Sequence, residues 1–258
     1  MKHLSNILIV LSTLTAFAAD LKELDMQIGS ELFYTRFHQG CPCPQKGFLS
    51  GPTFNFRWTR PWRIYLGVFF DGLWKIGHIC SRDGIFIDSN QYEALFKIGV
   101  PCINNNETFI ITPHLGLDFL HFFHKIENCI VTYRYNSIAI PMGFEFSHLT
   151  SEHFYWQLRA YYRLDAYTRL KVETPCAYET TDCKIKLKRA HGIHLELPLS
   201  CVYRAQERVS IILQWSPTFD WQKFSCADPC DCKNNPRLPI PELKSWKLGT
   251  KAIFGINF

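Results

Sequence analysis

The chain of 258 residues lacks the long apolar run that a transmembrane helix needs. Beyond its first 18 residues it has no stretch of 18 consecutive apolar residues, whereas a helix that crosses a bilayer requires about 20. A large excess of one charge is lacking too, because 28 basic residues face 23 acidic ones and the formal net charge is +5. That excess is too small to indicate nucleic-acid binding. Any membrane-spanning part of the mature chain must therefore be built from strands.

Motifs of the common hydrolases and nucleotide-binding enzymes are absent as well. The chain contains no G-x-S-x-G, no P-loop and no H-E-x-x-H. It also has no C-x-x-C pair and no H-x-x-x-H, so zinc is only a weak alternative for the cysteines at 41–43 and 226–232. No repeat with a period of 20 to 50 residues is evident, which argues against propellers and solenoids. We predict no cofactor, no metal and no enzymatic activity.

The first residues have the pattern of an export signal. An apolar run from Ile7 to Phe17 follows a basic start, and Ala16 and Ala18 supply the small residues of a cleavage site. The run is too short to cross a bilayer as a helix. We predict a signal peptide over 1–18 and one β-barrel domain over 19–258, with an uncleaved N-terminal anchor as the alternative.

Alternation of apolar and polar residues is abundant in the mature sequence. Phe54, Phe56 and Trp58 alternate with polar residues, so their rings share one face of a strand. Segments with this period of two begin near Thr53, Trp62, Thr108, Ser137, His153, Ile193, Val209 and Trp246. Two less regular segments, Ile28–Phe37 and Tyr92–Val100, bring the number of predicted strands to ten.

The apolar faces have the length and composition expected of a membrane barrel. They commonly hold five or six residues rich in Phe, Trp, Leu and Ile, as expected where a band about 25 Å tall meets lipid. Aromatic residues near strand ends match an interfacial girdle: Trp58, Trp62, Tyr203, Trp221 and Trp246.

Long and short connections alternate along the chain, as they do in an up-and-down barrel. The long segments are Gly40–Ser50, Trp74–Asn90, Leu120–Tyr135, Lys171–Arg189 and Ser225–Pro241. The sequence therefore predicts an all-β fold, an antiparallel up-and-down transmembrane β-barrel of ten strands. A barrel of eight strands is the alternative if the two less regular segments are not strands.

The polar faces of the strands mix charges of both signs with small residues, which is expected of a narrow, hydrated lumen. The side chains that we assign to the lumen are Arg57, Glu145, Arg159, Arg163, Glu196 and Lys251. Six other groups are also expected to face inward: His114, Asp118, His153, Asp165, His194 and Asp220. A barrel-embedded hydrolase would have to use these groups, but we find no pairing among them that reproduces a catalytic motif. Packing of the lumen is the favoured interpretation.

Eleven cysteines in an exported chain predict disulfides, because oxidising compartments keep thiols paired. The odd number leaves at least one for a free thiol or a bond to another chain. Nine lie in the predicted long segments and are the disulfide candidates: Cys41, Cys43, Cys80, Cys129, Cys176, Cys183, Cys226, Cys230 and Cys232. Cys176 and Cys183 form one candidate pair within a single loop. Cys102 and Cys201 lie in a short turn and a strand.

The last strand carries apolar residues at Phe254 and Ile256 and ends in Phe258. It resembles the C-terminal assembly signal of outer-membrane β-barrel proteins, which the barrel-assembly machinery recognises. Over nearly its whole length the chain resembles small outer-membrane barrels, of the OmpA-transmembrane-domain kind or the ten-stranded kind. The cysteine-rich segments resemble envelope proteins of bacteria that cross-link their outer membrane by disulfides.

These resemblances imply export to the cell outer membrane and contact there with lipid, with the assembly machinery and, through disulfides, with other envelope proteins. They imply no nucleic-acid partner. We expect a structural or surface-interaction role with disulfide-rich exterior loops. A small-solute pore is the alternative, although a barrel of ten strands leaves little open lumen.

Overall fold

Strands make up almost all of the chain that the computed structural model describes. The described residues are 24–38, 45–60, 66–80, 86–103, 108–126, 131–151, 153–176, 179–186, 188–206, 209–225 and 243–257. The predicted signal peptide over 1–18 and the terminal Phe258 lie outside them. No helix in these ranges is long and apolar enough to cross a membrane.

Ten antiparallel strands form the sheet, so the predicted fold class and strand number are confirmed. They are β1 (Leu24–His38), β2 (Gln45–Arg60), β3 (Leu66–Cys80), β4 (Phe86–Gly99, continued by Cys102–Ile103), β5 (Phe109–Ile126), β6 (Val131–Ser151), β7 (Phe154–Cys176), β8 (the segments Glu179–Lys186, Lys188–Glu196 and Leu199–Gln206), β9 (Val209–Ser225) and β10 (Leu243–Asn257). The three segments of β8 keep one common register against β7 and therefore act as a single strand. The two less regular predicted segments lie within β1 and β4.

The sheet closes on itself, because β1 pairs with β10 as well as with β2. A path that steps from partner to partner around the sheet leaves β1 at Leu24 and returns to β1 at Arg36, twelve residues further on. Such a stagger requires the strands to tilt relative to the barrel axis. Each of the ten strands thus has two partners.

Two prolines interrupt strands without breaking the barrel. Pro198 has no N–H to donate, and it separates two segments of β8. Its carbonyl accepts a hydrogen bond of 2.8 Å from the backbone N–H of Gln157, and the N–H of Leu197 donates to the carbonyl of Pro217 at 3.0 Å. Pro101 interrupts β4 in the same way. The ladder on both sides of each proline holds the register.

Apolar side chains form the outer face of the barrel. Phe144, Trp215 and Phe254 are 44%, 54% and 47% exposed, whereas their chain neighbours Glu145, Gln214 and Ile253 are buried. Leu197 on the same face is exposed, Phe54 and Trp156 are half-buried, and the side chains of Trp58 and Leu66 are not described. An exposed apolar face of this extent needs lipid rather than water as its solvent.

The two ends of the barrel differ. We call the end where β1 starts and β10 finishes the periplasmic end, and the opposite one the exterior end, as in bacterial outer-membrane barrels. At the exterior end β3 continues to Cys80, β7 continues to Cys176, and β8 begins at Glu179. The prediction of long loops over Trp74–Asn90, Leu120–Tyr135 and Lys171–Arg189 was therefore largely wrong. The strands extend past the apolar band, where neither face has to be apolar and alternation no longer marks a strand.

Candidate functional site

An ionic network fills the periplasmic half of the lumen. Arg57 on β2 is paired with Glu145 on β6. A second oxygen of Glu145 lies 3.5 Å from Nε of Arg159, whose Nη1 is 3.4 Å from Oε2 of Glu196. Oε2 of Glu196 is also 3.6 Å from Nζ of Lys251. Five of the six side chains assigned to the lumen from the sequence thus meet in one chain of contacts that involves five strands.

Arg163, the sixth residue, is the centre of a second cluster. Its Nη2 is 2.5 Å from Oδ2 of Asp118, and its Nη1 is 3.5 Å from Oε1 of Glu93. Its Nε is 3.8 Å from Oδ1 of Asp165. Three carboxylates therefore surround one guanidinium. Both Arg163 and Asp118 are buried, so the charges compensate one another away from bulk water.

His194 connects the ionic network to an aromatic row across the sheet. Its Nδ1 is 2.5 Å from Oδ1 of Asp220, and its Nε2 is 3.7 Å from Oε2 of Glu196. Its ring stacks on Tyr161, with centroids 4.5 Å apart and planes at 17°. Tyr161 also contacts His114 edge to face, at 6.2 Å, across Gly143 in the sheet register.

His194 and Asp220 are residue types that can act together as an acid–base pair, but they lie in a packed interior. The ring face of His194 is covered by Tyr161, and its neighbour Glu196 is held by two cations. His153, expected to face inward, instead lies exposed in the turn between β6 and β7, so that prediction was wrong. In the described ranges no group of three or more His, Cys, Asp or Glu could hold a metal ion.

An apolar layer occupies the lumen nearer the exterior end. Its side chains are fully or almost fully buried: Phe33, Leu49, Leu120, Phe122 and Tyr135. The Phe122 and Tyr135 rings stack at 4.3 Å and 16°. Sequence reasoning missed this layer, although Leu32-Phe33 and Phe48-Leu49 were available as signals, because two adjacent apolar residues place one of them on the inner face.

Lys247 joins the apolar layer to the opposite wall of the barrel. Its Nζ lies 5.4 Å from the ring centroid of Phe33 and donates to Oε1 of Gln91 at 2.9 Å. Below the layer, a cavity of about 10 Å³ is lined by Asp25, Gln27, Asn55, Phe56, Arg57, Lys97 and Arg159. This volume holds about one water molecule. The described side chains thus enter the lumen at two levels, one ionic and one apolar.

The five cysteines within the described residues lie towards the two ends of the barrel. Cys80, Cys176 and Cys183 lie in strands near the exterior end, although their side chains are not described. The remaining disulfide candidates fall outside the described residues: Cys41, Cys43, Cys129, Cys226, Cys230 and Cys232. Cys102 and Cys201, nearer the periplasmic end, are exposed and carry free thiols.

The register of β7 and β8 argues against the pairing of Cys176 with Cys183. Cys183 lies opposite Val172, and Cys176 lies opposite Glu179. Four residues along a strand separate Val172 from Cys176, which is about 13 Å. A disulfide requires Cα atoms within about 7 Å.

A closed ten-stranded barrel, apolar outside and ionic inside, defines the class of outer-membrane β-barrels. Comparison with solved structures gives the same fold. The chain is 9% identical to the outer membrane protease OmpT from Escherichia coli, with a TM-score of 0.51 over 93% of this chain and 97% of that one.

Two further solved structures are more distant. The translocator domain of the autotransporter NalP from Neisseria meningitidis is 6% identical over 100% of this chain and 96% of that chain, with a TM-score of 0.47. Ail, the attachment invasion locus protein of Yersinia pestis, is 11% identical over 91% and 99%, with a TM-score of 0.33. No protein-family model and no curated protein sequence matches the chain. At 9% identity, the similarity to OmpT shows the fold and nothing further.

Proposed function

We propose that the protein is an outer-membrane barrel with a structural or surface-interaction role, exported through a cleaved signal peptide and closed to solutes. The filled lumen is the observation that supports this proposal. The network from Arg57 to Lys251 and the layer around Phe122 and Tyr135 occupy the space that a channel would need.

The cost of separating buried ion pairs supports a lumen whose side chains stay in place. Arg57 on β2 reaches Glu145 on β6, so this ion pair joins strands that are not neighbours in the sheet. Separating a buried pair leaves an uncompensated charge, which costs about 3–5 kcal/mol. Opening the lumen would break several such contacts at once. The barrel is therefore suited to holding its strands in a fixed arrangement.

The exterior end is the surface where partners would bind. Cys80, Cys176 and Cys183 belong to strands at that end, and we propose that they and the other six candidate cysteines form disulfides within the protein or with other envelope proteins. The outward positions of Phe254 and Ile256, followed by Phe258, are proposed as the signal for the barrel-assembly machinery. These roles require no cofactor.

Single-channel recording in a planar bilayer tests the closed lumen. The purified full-length protein, inserted in folded form, is expected to give no stepwise conductance. A matched variant, Phe122→Ala with Tyr135→Ala, removes the stacked rings and tests whether the apolar layer restricts passage. Regular conductance steps from the unmodified protein would overturn the closed-barrel proposal and favour the small-solute pore.

A barrel-embedded hydrolase is the second candidate, and the contact between His194 and Asp220 is the observation that favours it. The substitution His194→Ala discriminates between the two candidates. Hydrolysis of a peptide or lipid substrate that is present in the unmodified protein and lost in His194→Ala, but kept in His153→Ala, would support an enzyme. Absence of hydrolysis in all three supports the structural role.

A further inference from the structure

Cation–cation pairs lie on the outer face at the exterior border of the apolar band. In the described ranges five pairs of directly opposed basic residues occur there: Arg36 with Lys46, Arg134 with Lys171, Lys171 with Lys184, Arg169 with Lys186, and Lys223 with Lys244. Like charges placed opposite each other on neighbouring strands destabilise a sheet. Such pairs are favourable when an anion outside the protein lies between them.

The outward side chains next to these pairs on the membrane side indicate the depth at which the pairs lie. We call outward residues that lie opposite one another on neighbouring strands a row. Immediately towards the membrane from Arg36 and Lys46 lie Tyr34 and Phe48, whose ring centroids are 5.4 Å apart. The pair Lys223–Lys244 likewise follows a row formed by Trp221 and Trp246. Aromatic rings of this kind mark the interface between hydrocarbon and headgroups. The basic pairs thus lie one row further out, at the level of headgroup phosphates.

The β6–β7–β8 surface has the densest group of basic positions. Above the exposed apolar row of Ile138 and Tyr167, Asn136 is opposite Arg169, and in the next row Arg134 is opposite Lys171. The backbone register continues both rows on β8, where Lys186 is opposite Arg169 and Lys184 is opposite Lys171. Two adjacent rows therefore bring five basic positions together, directly above a lipid-facing surface.

The carboxylate of Glu173 contacts two of these cations. It lies 2.5 Å from Nζ of Lys171 and 3.3 Å from Nη2 of Arg134. The Arg134 side chain remains 48% exposed, and its guanidinium lies 5.6 Å from the centre of the Phe123 ring. On β8, Asp182 lies opposite Glu173, so this surface holds five basic and two acidic positions and keeps a positive excess that faces outward.

We propose that this surface, formed by Arg134, Arg169 and Lys171, binds the phosphate groups of a phosphorylated lipid in the outer leaflet. The occupant is a lipid rather than free phosphate, because the cations continue the lipid-facing rows of Ile138 and Tyr167. Phosphate oxygens accept charge-assisted hydrogen bonds from guanidinium and ammonium groups, and each basic residue near a membrane surface strengthens binding of anionic lipid. The inference rests on the proposed outer-membrane location.

Native mass spectrometry of the full-length protein in a neutral detergent tests the proposal, with lipid A carrying two phosphates, monophosphoryl lipid A and phosphatidylcholine as probes. Affinity is expected to fall in that order. The double variant Arg134→Gln with Lys171→Gln should bind diphosphorylated lipid A about 25-fold more weakly, roughly fivefold for each cation. Glu173→Gln should bind it more tightly, because a competing carboxylate is removed.

Three controls separate the outcomes. Arg204→Gln removes an exposed cation from the periplasmic end and should leave affinity unchanged, and the charge-preserving variant Arg134→Lys with Lys171→Arg should retain most of it. Heat-dependent gel mobility verifies that each variant is folded, independently of conductance. Unchanged binding in a folded Arg134→Gln, Lys171→Gln variant would overturn the proposal. Full displacement of lipid A by millimolar inorganic phosphate, or equal binding of phosphatidylcholine, would also overturn it.

Discussion

The charged side chains of the lumen depend on one another. Glu145 lies between the guanidinium groups of Arg57 and Arg159, while Glu196 lies among Arg159, Lys251 and His194. A buried charge is tolerated when its partners remain in place, because their attraction offsets the loss of water. Removing one member therefore affects the others, whereas an ion pair in contact with water can be lost at little cost.

The substitution Glu145→Gln measures this dependence. It removes the carboxylate that Arg57 and Arg159 share, so the free energy of unfolding should fall by about 3 kcal/mol. Denaturant unfolding of the protein reconstituted in lipid vesicles gives the value. The matched variant Glu173→Gln removes a more exposed carboxylate on the outer face and should cost less than about 1 kcal/mol. Equal losses in the two variants would show that the lumen network has no special importance.

Gly143 illustrates a second constraint on the inner face. A Cβ atom at this position would lie 2.1 Å from the carbonyl oxygen of Ala160 and 2.5 Å from Cα of Tyr161, both on β7. The contact is with backbone, which cannot rotate away as a side chain does. The close approach of β6 and β7 at this point, together with the stacking of Tyr161 on His194, thus requires a residue without Cβ.

We expect Gly143→Ala to reduce the yield of folded barrel and the denaturant concentration at the unfolding midpoint. Thr150→Ala, an exposed position on the same strand, is the matched control and should behave like the unmodified protein within about 0.5 kcal/mol. Far-ultraviolet circular dichroism during refolding follows both variants. Normal refolding and an unchanged midpoint for Gly143→Ala would show that β6 and β7 can move apart without cost.

At the scale of strands, the sequence predicts most accurately where one face meets lipid. On β6, Phe144 and Phe146 alternate cleanly with charged and polar residues, as Trp156 does on β7, and both strands were predicted. In the exterior part of β7 the alternation is reversed, because Arg169 and Lys171 lie on the outer face while Leu170 between them is buried. This part therefore lacks the apolar outer face that marks the predicted strands. A register shift near Ile138 and Ala139 further disturbs the pattern at that level.

The sequence predicts which residues of the site face the lumen, but not which of them are in contact. Alternation assigns Arg57, Glu145 and Glu196 to one face, because only the direction of each side chain is needed. Their partners lie on strands that are distant in sequence, and which strands meet depends on the register and the twelve-residue stagger of the closed sheet. The apolar layer in the lumen was missed for a different reason, since apolar residues on the inner face look like errors in the alternation.

The strand register yields a prediction about disulfides. Cys176 and Cys183 should not form a bond with each other, because Cys183 lies opposite Val172, about 13 Å from Cys176 along the strand. Peptide mapping of the oxidised protein under non-reducing conditions should therefore give no linked peptide containing only these two cysteines. The Cys102 and Cys201 thiols act as internal controls, since both should react with an alkylating reagent once the protein is in detergent. A dominant Cys176–Cys183 link would contradict the register of the hairpin.

At the scale of the whole molecule, closure of the barrel removes unpaired backbone groups from the hydrocarbon region. In hydrocarbon, each unsatisfied backbone N–H or C=O costs several kcal/mol, so a sheet is stable there only when its first and last strands pair. Fourteen residue pairs join β1 to β10, and fifteen join β9 to β10. β10 therefore joins the two ends of the sheet, and its loss would leave β1 and β9 each with a free edge.

Semi-native gel electrophoresis tests this consequence of closure. The unmodified protein should migrate differently before and after boiling, because a closed barrel resists sodium dodecyl sulfate until it is heated. Deletion of β10, Leu243–Asn257, leaves β1 and β9 with unpaired backbone groups and should abolish the heat-dependent shift completely. The point variant Leu248→Ala, which shortens one outward side chain of β10 and keeps its backbone pairing, should retain the shift. A persistent shift in the deletion variant would mean that nine strands close without β10, and the pairing of β1 with β10 would then not be what seals the barrel.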